Sequence, residues 1–318
     1  MAKTDKKRII LVGNLEKSEA RSLGAELLEW LQGKTQIVAE NIQGEIDLSN
    51  PPPADFVITL GGDGTILATV REMADNQLPI IGVNIGKLGF LAEFSIDELK
   101  QHFERIMSDE TMISSRIMLK CRISGPDREE DYITNAVNEL AIIAGPPFRM
   151  IEVSISIGQE HLAVCAGDGL VVSTPTGSTA YNLSAGGPIL HAGLDAVVIT
   201  PLAAHSLSFR PMVIDLEKPI VLRCRDCREE RLTMKKNPGD SDKAGDGDLS
   251  SLIEFWGPAV AAVDGQVNMP LKSHDEVVIT CAPERFLLVR SPVQSQWRLL
   301  STKLHWAVPP SYNRKETS

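Results

Sequence analysis

Cysteine is scarce. Five residues in 318, an odd number, do not make a framework of paired disulfides, and they make the cytoplasm the expected compartment. Cys224 and Cys227 form one CxxC, without the second pair or the spaced histidines that a structural zinc needs, so no protein metal site is expected. Positive charge is also short. With 32 Lys and Arg against 42 Asp and Glu, the net charge is −10. That balance argues against broad binding to nucleic acid or to an anionic membrane, though not against a local pocket for a phosphorylated small molecule. No apolar run approaches the roughly 18 residues of a membrane span. The charged opening MAKTDKKRII has no apolar core of the secretory kind.

Two common nucleotide signatures are missing as well. The nearest approach to a Walker A loop, Gly82 to Leu88, has three residues between its glycines and a leucine after the lysine. Gly13 stands alone after the first strand-like run, where a G-x-G-x-x-G would begin.

What is present suffices for a large core: 43% of the residues are hydrophobic, over a length that suits two ordinary domains. The first hundred residues alternate between strand-like runs (8–12, 36–39, 56–60, 79–83) and helical spacing (16–31, 65–74, 97–107). In the first helix Leu23, Leu27, Leu28 and Leu31 share a face. Such alternation predicts a parallel sheet covered by helices, with ligand beyond the carboxyl ends of its strands. From about residue 112 the pattern becomes short β-branched runs separated by turns: 117–123, 132–143, 152–157, 162–166, 170–173, 219–223, 253–263, 276–280 and 286–290. A short helix is expected near 179–183. Residues 226–250 are charged, poor in aromatics and end in NPGDSDKAGDGDLSS, the composition of a surface insertion.

The strand at 56–60 runs into ITLGGDGTILA. Gly61, Gly62 and Gly64 free the backbone to point successive N–H groups into one concavity, a phosphate cradle at a helix start. A tight strand-to-helix turn with Asp63 as N-cap fits equally well. Asp63 is out of place against phosphate, but it suits a hydroxyl whose proton a carboxylate takes or orients during phosphoryl transfer. A second cluster, GDGLVVSTPTGSTAYNLSAGG (167–187), crowds hydroxyls and small residues around one strand, with Tyr181 able to stack on a base. Composition alone favours a plain hydroxyl-rich turn there. Asn138 and Glu139 interrupt the apolar AVNELAII, and a buried Glu is costly unless it meets a ligand or an arginine.

In combination these segments resemble the NAD kinases. GGDGT (61–65), GVNIGKLGFL (82–91), VNE (137–139), DGLVVSTPTGSTAYNLSAGGP (168–188), DGQ (264–266) and KLHW (303–306) occur in the family's order. The GGDG turn is shared with lipid kinases and phosphofructokinases; the TPTGSTAY block with the NE pair is specific. The resemblance implies an α/β N-terminal Rossmann-like domain plus a mostly β C-terminal domain. The boundaries are then 1–112, 113–290 and a C-terminal segment 291–318 that packs back on the first domain. It implies transfer of the γ-phosphoryl of ATP to the 2′-hydroxyl of the adenosine ribose of NAD, giving NADP.

By matching position, Asp63 is the proton acceptor or orienting carboxylate and Gly64 lines the phosphate turn. Asn138 and Glu139 bind NAD, and Asp168 fixes its polar edges. Thr179, Ala180, Tyr181, Asn182 and Ser184 shape the base and ribose pocket, with Arg149, Ala203 and Gln266 as further carry-overs. Mg²⁺ is expected to accompany ATP, held by phosphates and water rather than by a protein cage. The resemblance also implies a homodimer or homotetramer in which neighbouring subunits complete the site. Two departures stand out. Ala166 and Gly167 occupy a position where many bacterial members carry a basic residue, and the 226–250 insertion has no clear counterpart. A diacylglycerol-type lipid kinase and a non-catalytic NAD(P)-binding regulator are the rival readings. The first needs a deep apolar pocket, and the second needs no working Asp63.

Overall fold

The computed structural model describes residues 6–13, 18–41, 46–86, 89–146, 148–225, 259–272 and 274–305. Three six-stranded sheets organise them. The first contains β1 (Arg8–Gly13), β2 (Gln36–Asn41), β3 (Phe56–Leu60) and β4 (Ile80–Val83), joined in parallel in the order β2-β1-β3-β4. All five residues of β3 are buried, as a strand covered by helices on both faces must be. On one face lie α1 (Ser18–Gln32), through Leu27 and Leu31, and α3 (Ile96–Ser108), through Leu99, Phe103 and Ile106. The latter is started by a reciprocal cap, Ser95 receiving the Glu98 N–H while the Glu98 carboxylate receives that of Ser95. On the other face α2 (Asp63–Met73) buries Ile66, Leu67, Val70 and Met73.

The chain then makes β5 (Ile113–Arg116), β6 (Leu119–Ser124), β7 (Tyr132–Ala136), β8 (Glu139–Ala144), β9 (Ile151–Ile157), β10 (Glu160–Gly167), β11 (Gly169–Ser173), β12 (Val197–Leu202), β13 (Met212–Ile214) and β14 (Ile220–Arg225). It continues, within the described residues, through β15 (Ala259–Val263), β16 (Val267–Leu271), β17 (Glu276–Cys281) and β18 (Phe286–Val289). Two antiparallel sheets result, β10-β9-β14-β17-β6-β7 and β13-β12-β11-β8-β15-β16. They close face to face over a common core, to which β6 gives Leu119, Cys121 and Ile123, β8 gives Leu140 and Ile142, and β11 gives Leu170 and Val172. β5 and β18 instead join the first sheet, β18 parallel to β4 and antiparallel to β5, so the sheets divide the chain differently from a cut at residues 112 and 290.

Most expected elements are present within a residue or two. The run 132–143 differs: it is two strands, β7 and β8, parted at Val137 and Asn138. The run 117–123 begins only at Leu119, because Ile117 and Met118 turn the chain from the first sheet into the second. The short helix expected near 179–183 is α4 (Tyr181–Ser184), whereas β5, β12, β13, β16 and a helix, α5 (Gln296–Leu304), have no counterpart in the expectations above. The 226–250 insertion, Cys227, Lys87, Leu88 and Trp306 lie outside the described residues.

Candidate functional site

The GGDG turn sits at the carboxyl end of β3. Its helix starts two residues earlier than the spacing suggests. Gly62 is the N-cap, without a side-chain cap, and Asp63 is the first helical residue rather than the cap. The Asp63 carboxylate turns instead to the loop after β4. Its Oδ2 accepts the Phe90 N–H at 2.8 Å, and its Oδ1 accepts those of Leu91 and Ala92 at 2.9 and 3.0 Å. Two carboxylate oxygens offer about four acceptor positions, so one, on Oδ2, stays open. The loop can come this close because residue 89 is glycine: a Cβ there would overlap Asp63 Oδ1. Beside the carboxylate, the N–H groups of Asp63 and Gly64 precede the bond from the Thr65 N–H to the Gly62 carbonyl, at 3.0 Å, and form a helix start suited to anionic oxygen.

The break between β7 and β8 forms the facing wall. Asp264 is 6% exposed, and it accepts the N–H of Val137 at 3.0 Å, of Asn138 at 2.7 Å and of Glu139 at 3.1 Å. On the other side of the break, Val137 C=O takes the Thr174 hydroxyl at 2.6 Å and Asn138 C=O takes the Thr174 N–H at 2.8 Å. Gly177 packs on the Asn138 backbone so tightly that a Cβ would overlap the Asn138 carbonyl. The hydroxyl-rich segment and the NE pair are thereby one wall.

Glu139 is 4% exposed and has one carboxyl oxygen without a partner. Among the described residues it makes no ion pair, so an arginine partner does not account for its burial. Burial first, and then the negative charge of Asp264, push its carboxyl up to about 8, against a pull from the Tyr181 backbone N–H. Burial also raises Asp264, opposed by the three N–H groups and by Arg71. Asp264 is the ionised member of this pair, because it already accepts three N–H donors and Glu139 does not.

The other sequence-derived positions separate into two groups. Thr179 and Ala180 are half-buried, and Tyr181 and Ser184 are exposed, with the Tyr181 backbone N–H reaching Glu139. Asn182 is fully buried, with its amide on Ser178 and Pro188 carbonyls and its oxygen on the Thr200 hydroxyl; it holds the segment's shape from behind. Gln266 donates to Gly64 C=O at 2.7 Å and accepts from Arg71 at 2.8 Å, which brings it against the GGDG helix. Arg149, Asp168 and Ala203 are exposed and gather elsewhere. Asp168 N–H bonds Leu202 C=O, and its own C=O takes the Ala144 N–H. Gly169 pairs with Ile143 and Leu202, whereas Ser173 pairs with Glu139 and Val198. The two groups therefore sit at opposite ends of the same strands, roughly 15 Å apart at about 3.4 Å per strand residue.

A cavity of about 70 Å³ opens under Phe90 and Leu91, lined on the far side by Thr176, Thr179 and His191 and floored by Glu93 and Arg116. Glu93 is buried and accepts the Ser291 N–H at 2.9 Å, with Arg116 3.9 Å away. Burial raises the Glu93 carboxyl and lowers the Arg116 guanidinium to about 10. Thr176 Oγ1 is buried without a hydrogen-bond partner among the described residues. α5 closes the cavity: Gln296 bonds Leu190 C=O and the Ala192 N–H, and Lys303 lies 5.4 Å from the Phe90 ring.

Neither Thr176 nor the role of Asp264 was evident from the sequence. An Asp-Gly pair between two β-branched runs signals a hairpin turn, but not what its carboxylate reaches. Among the described residues no three His, Cys, Asp or Glu converge as a metal cage, and none of the described helices is long and apolar enough to cross a membrane.

Residues 41–111 match the ATP-NAD kinase N-terminal domain family, and residues 137–240 match the ATP-NAD kinase C-terminal domain family. The chain is 34% identical over 303 residues to an NAD kinase of Rhodopirellula baltica, covering 94% of this chain and 87% of that one. It is 32% identical over 312 residues to an NAD kinase of Geobacter sp., covering 94% and 99%. Yeast NADH kinase complexed with NADH superposes with a TM-score of 0.78 at 23% identity, over 97% of this chain and 90% of that one. An Archaeoglobus fulgidus NAD kinase in complex with ATP gives 0.64 at 20% identity, over 90% and 94%.

Proposed function

The chain belongs to the NAD kinase family, and from that premise we propose how its residues perform the transfer of the γ-phosphoryl group of ATP to the 2′-hydroxyl of the adenosine ribose of NAD. The observation that carries the reading is the Asp63 carboxylate, pinned by three N–H groups with one acceptor position open at the start of α2, beside the N–H groups of Asp63 and Gly64. The 2′-hydroxyl donates to that open position on Oδ2. Its oxygen attacks the γ-phosphorus in line as the bond to the β-phosphate oxygen breaks, leaving ADP. The hydroxyl proton passes to Asp63 or, with Asp63 orienting it, to solvent. Gly64 and its neighbours hold phosphate oxygens through backbone N–H. Asn138 and a protonated Glu139 bind the ribose side of NAD, and Tyr181 covers the base. The unpartnered Thr176 hydroxyl suits the hydrogen-bonding edge of a purine, with Thr179 beside it.

Mg²⁺ belongs to the ATP, held by phosphates and water. Arg149, Asp168 and Ala203 serve the site of a neighbouring copy in a homodimer or homotetramer. Two features support this: their position at the far end of the strands, and the exposed apolar side chains Phe148 and Leu207 in the loops at that end.

The test is NADP formation by the full chain with ATP and Mg²⁺, with diacylglycerol as the rival acceptor. Asp63→Asn is expected to lower turnover by on the order of 10²–10⁴ while NAD still binds by calorimetry. Turnover near that of the parent chain would remove Asp63 from the chemistry.

A further inference from the structure

The hairpin joining β15 and β16 does more than reverse the chain. Asp264 and Gly265 both have positive φ, 50° and 64°, and Gln266 N–H closes the turn on Val263 C=O at 2.9 Å. This is the two-residue turn that an Asp-Gly pair favours. The tip of such a turn normally faces water. Here its two polar side chains reach in different directions and end on different parts of the molecule. Asp264 takes the three N–H groups of the β7–β8 break. Gln266, two residues on, bonds Gly64 C=O and receives Arg71, both on α2. Asp63 lies on that same first turn of α2, and Asn138 and Glu139 lie in the break.

We propose that the Asp264–Gln266 turn is a positioning staple that sets the separation between the phosphoryl-transfer turn at Asp63 and the nucleotide-binding pair Asn138–Glu139. Asp264 positions the pair and Gln266 positions the helix. The assignment rests on the kinase reading for what is being positioned, but not for the geometry itself.

Three successive N–H groups bond to Asp264 rather than to a strand: those of Val137 and Asn138, which lie between β7 and β8, and that of Glu139, the first residue of β8. Without Asp264 these donors would be buried and unpaired, and the break would relax toward a continuous strand. A continuous strand would move Asn138 and Glu139 out of register with the site, since side chains alternate faces residue by residue. Asp264 also acts on Glu139 electrostatically. The influences on Glu139 are its burial, the Asp264 charge and the Tyr181 backbone N–H, and Arg71 reaches Asp264 in turn.

Asp264→Asn keeps the side chain's size but removes its charge and turns an N–H toward N–H groups. KM for NAD is expected to rise about tenfold with KM for ATP unchanged, a cost of order 1.4 kcal/mol for a tenfold change. Backbone hydrogen exchange at 137–139 should quicken, and the alkaline limb of the pH–rate profile should move to lower pH because Glu139 loses its proton earlier. Gln266→Ala is expected to lower kcat by about 10- to 100-fold through misalignment, leaving exchange at 137–139 and the alkaline limb in place. A mere loss of folded protein would lower the active fraction with both KM values and the limb unmoved, and that result overturns the proposal. So does an Asp264→Asn variant with parental KM and exchange. If the parent chain makes no NADP, the functional reading fails, while the exchange measurement still decides the staple.

Discussion

Glu139 is a buried carboxyl with an unusual charge state. Its ordinary value of 4.5 is raised to about 8, first by burial and then by Asp264. The unfolded chain loses this proton near 4.5, and the native chain keeps it until about 8. Between those values the native state binds more protons, so its stability falls as pH rises, and the loss is complete above the folded value. Glu139→Gln keeps the neutral shape and removes the titration. Its melting temperature relative to the parent chain is expected to climb as pH rises through this window, measured by calorimetry at several pH values. If the two chains keep a constant difference across the window, Glu139 is not held protonated.

At the level of elements, the site is made by failures of regular structure. A strand breaks at 137–138, a helix begins without a side-chain cap at Gly62, and the loop after β4 gives its N–H groups to Asp63. Two of these are satisfied by a carboxylate from a distant segment, the strand break by Asp264 and the loop by Asp63. The hydroxyl-rich segment 174–181 depends on one close approach, Gly177 against the Asn138 carbonyl. Gly177→Ala is expected to push Thr179, Ala180 and Tyr181 off the NE pair. Affinity for NAD by calorimetry should weaken by about tenfold or more, in line with the 1–3 kcal/mol of overpacking. Unaltered affinity would show that the two walls do not act as a unit.

On the scale of the whole molecule, the split of the candidate residues over two ends of β8, β11 and β12 makes a prediction about assembly. Asp63→Asn removes a group from one end, and Asp168→Ala removes one from the other. If each working site draws on both ends of different copies, the two inactive variants should regain part of the parental activity when unfolded together and refolded as a mixture. Sedimentation should show a dimer or tetramer. A mixture as inactive as its components, from chains that do associate, would confine each site to a single chain. The −10 net charge disfavours association with a polyanion.

Much of this was legible in the residues. Hydrophobic periodicity predicted the alternating first sheet and its helices, because burial on one face imposes a period that the chain must display. The GGDG turn, the NE interruption and the TPTGSTAY block each fitted a plain structural reading alone, and pointed to phosphoryl transfer only in combination, through their resemblance to NAD kinases. Only the tertiary structure decided which partners complete those motifs. That Asp63 is held by the N–H groups of residues 90–92 is written in no local pattern, because the contact spans 27 to 29 residues. Asp264 holding 137–139 spans 125 to 127. β18 joins the first sheet from the far end of the chain for the same reason. Local propensity sets what an element is, whereas long-range hydrogen bonds and shared burial set which elements meet.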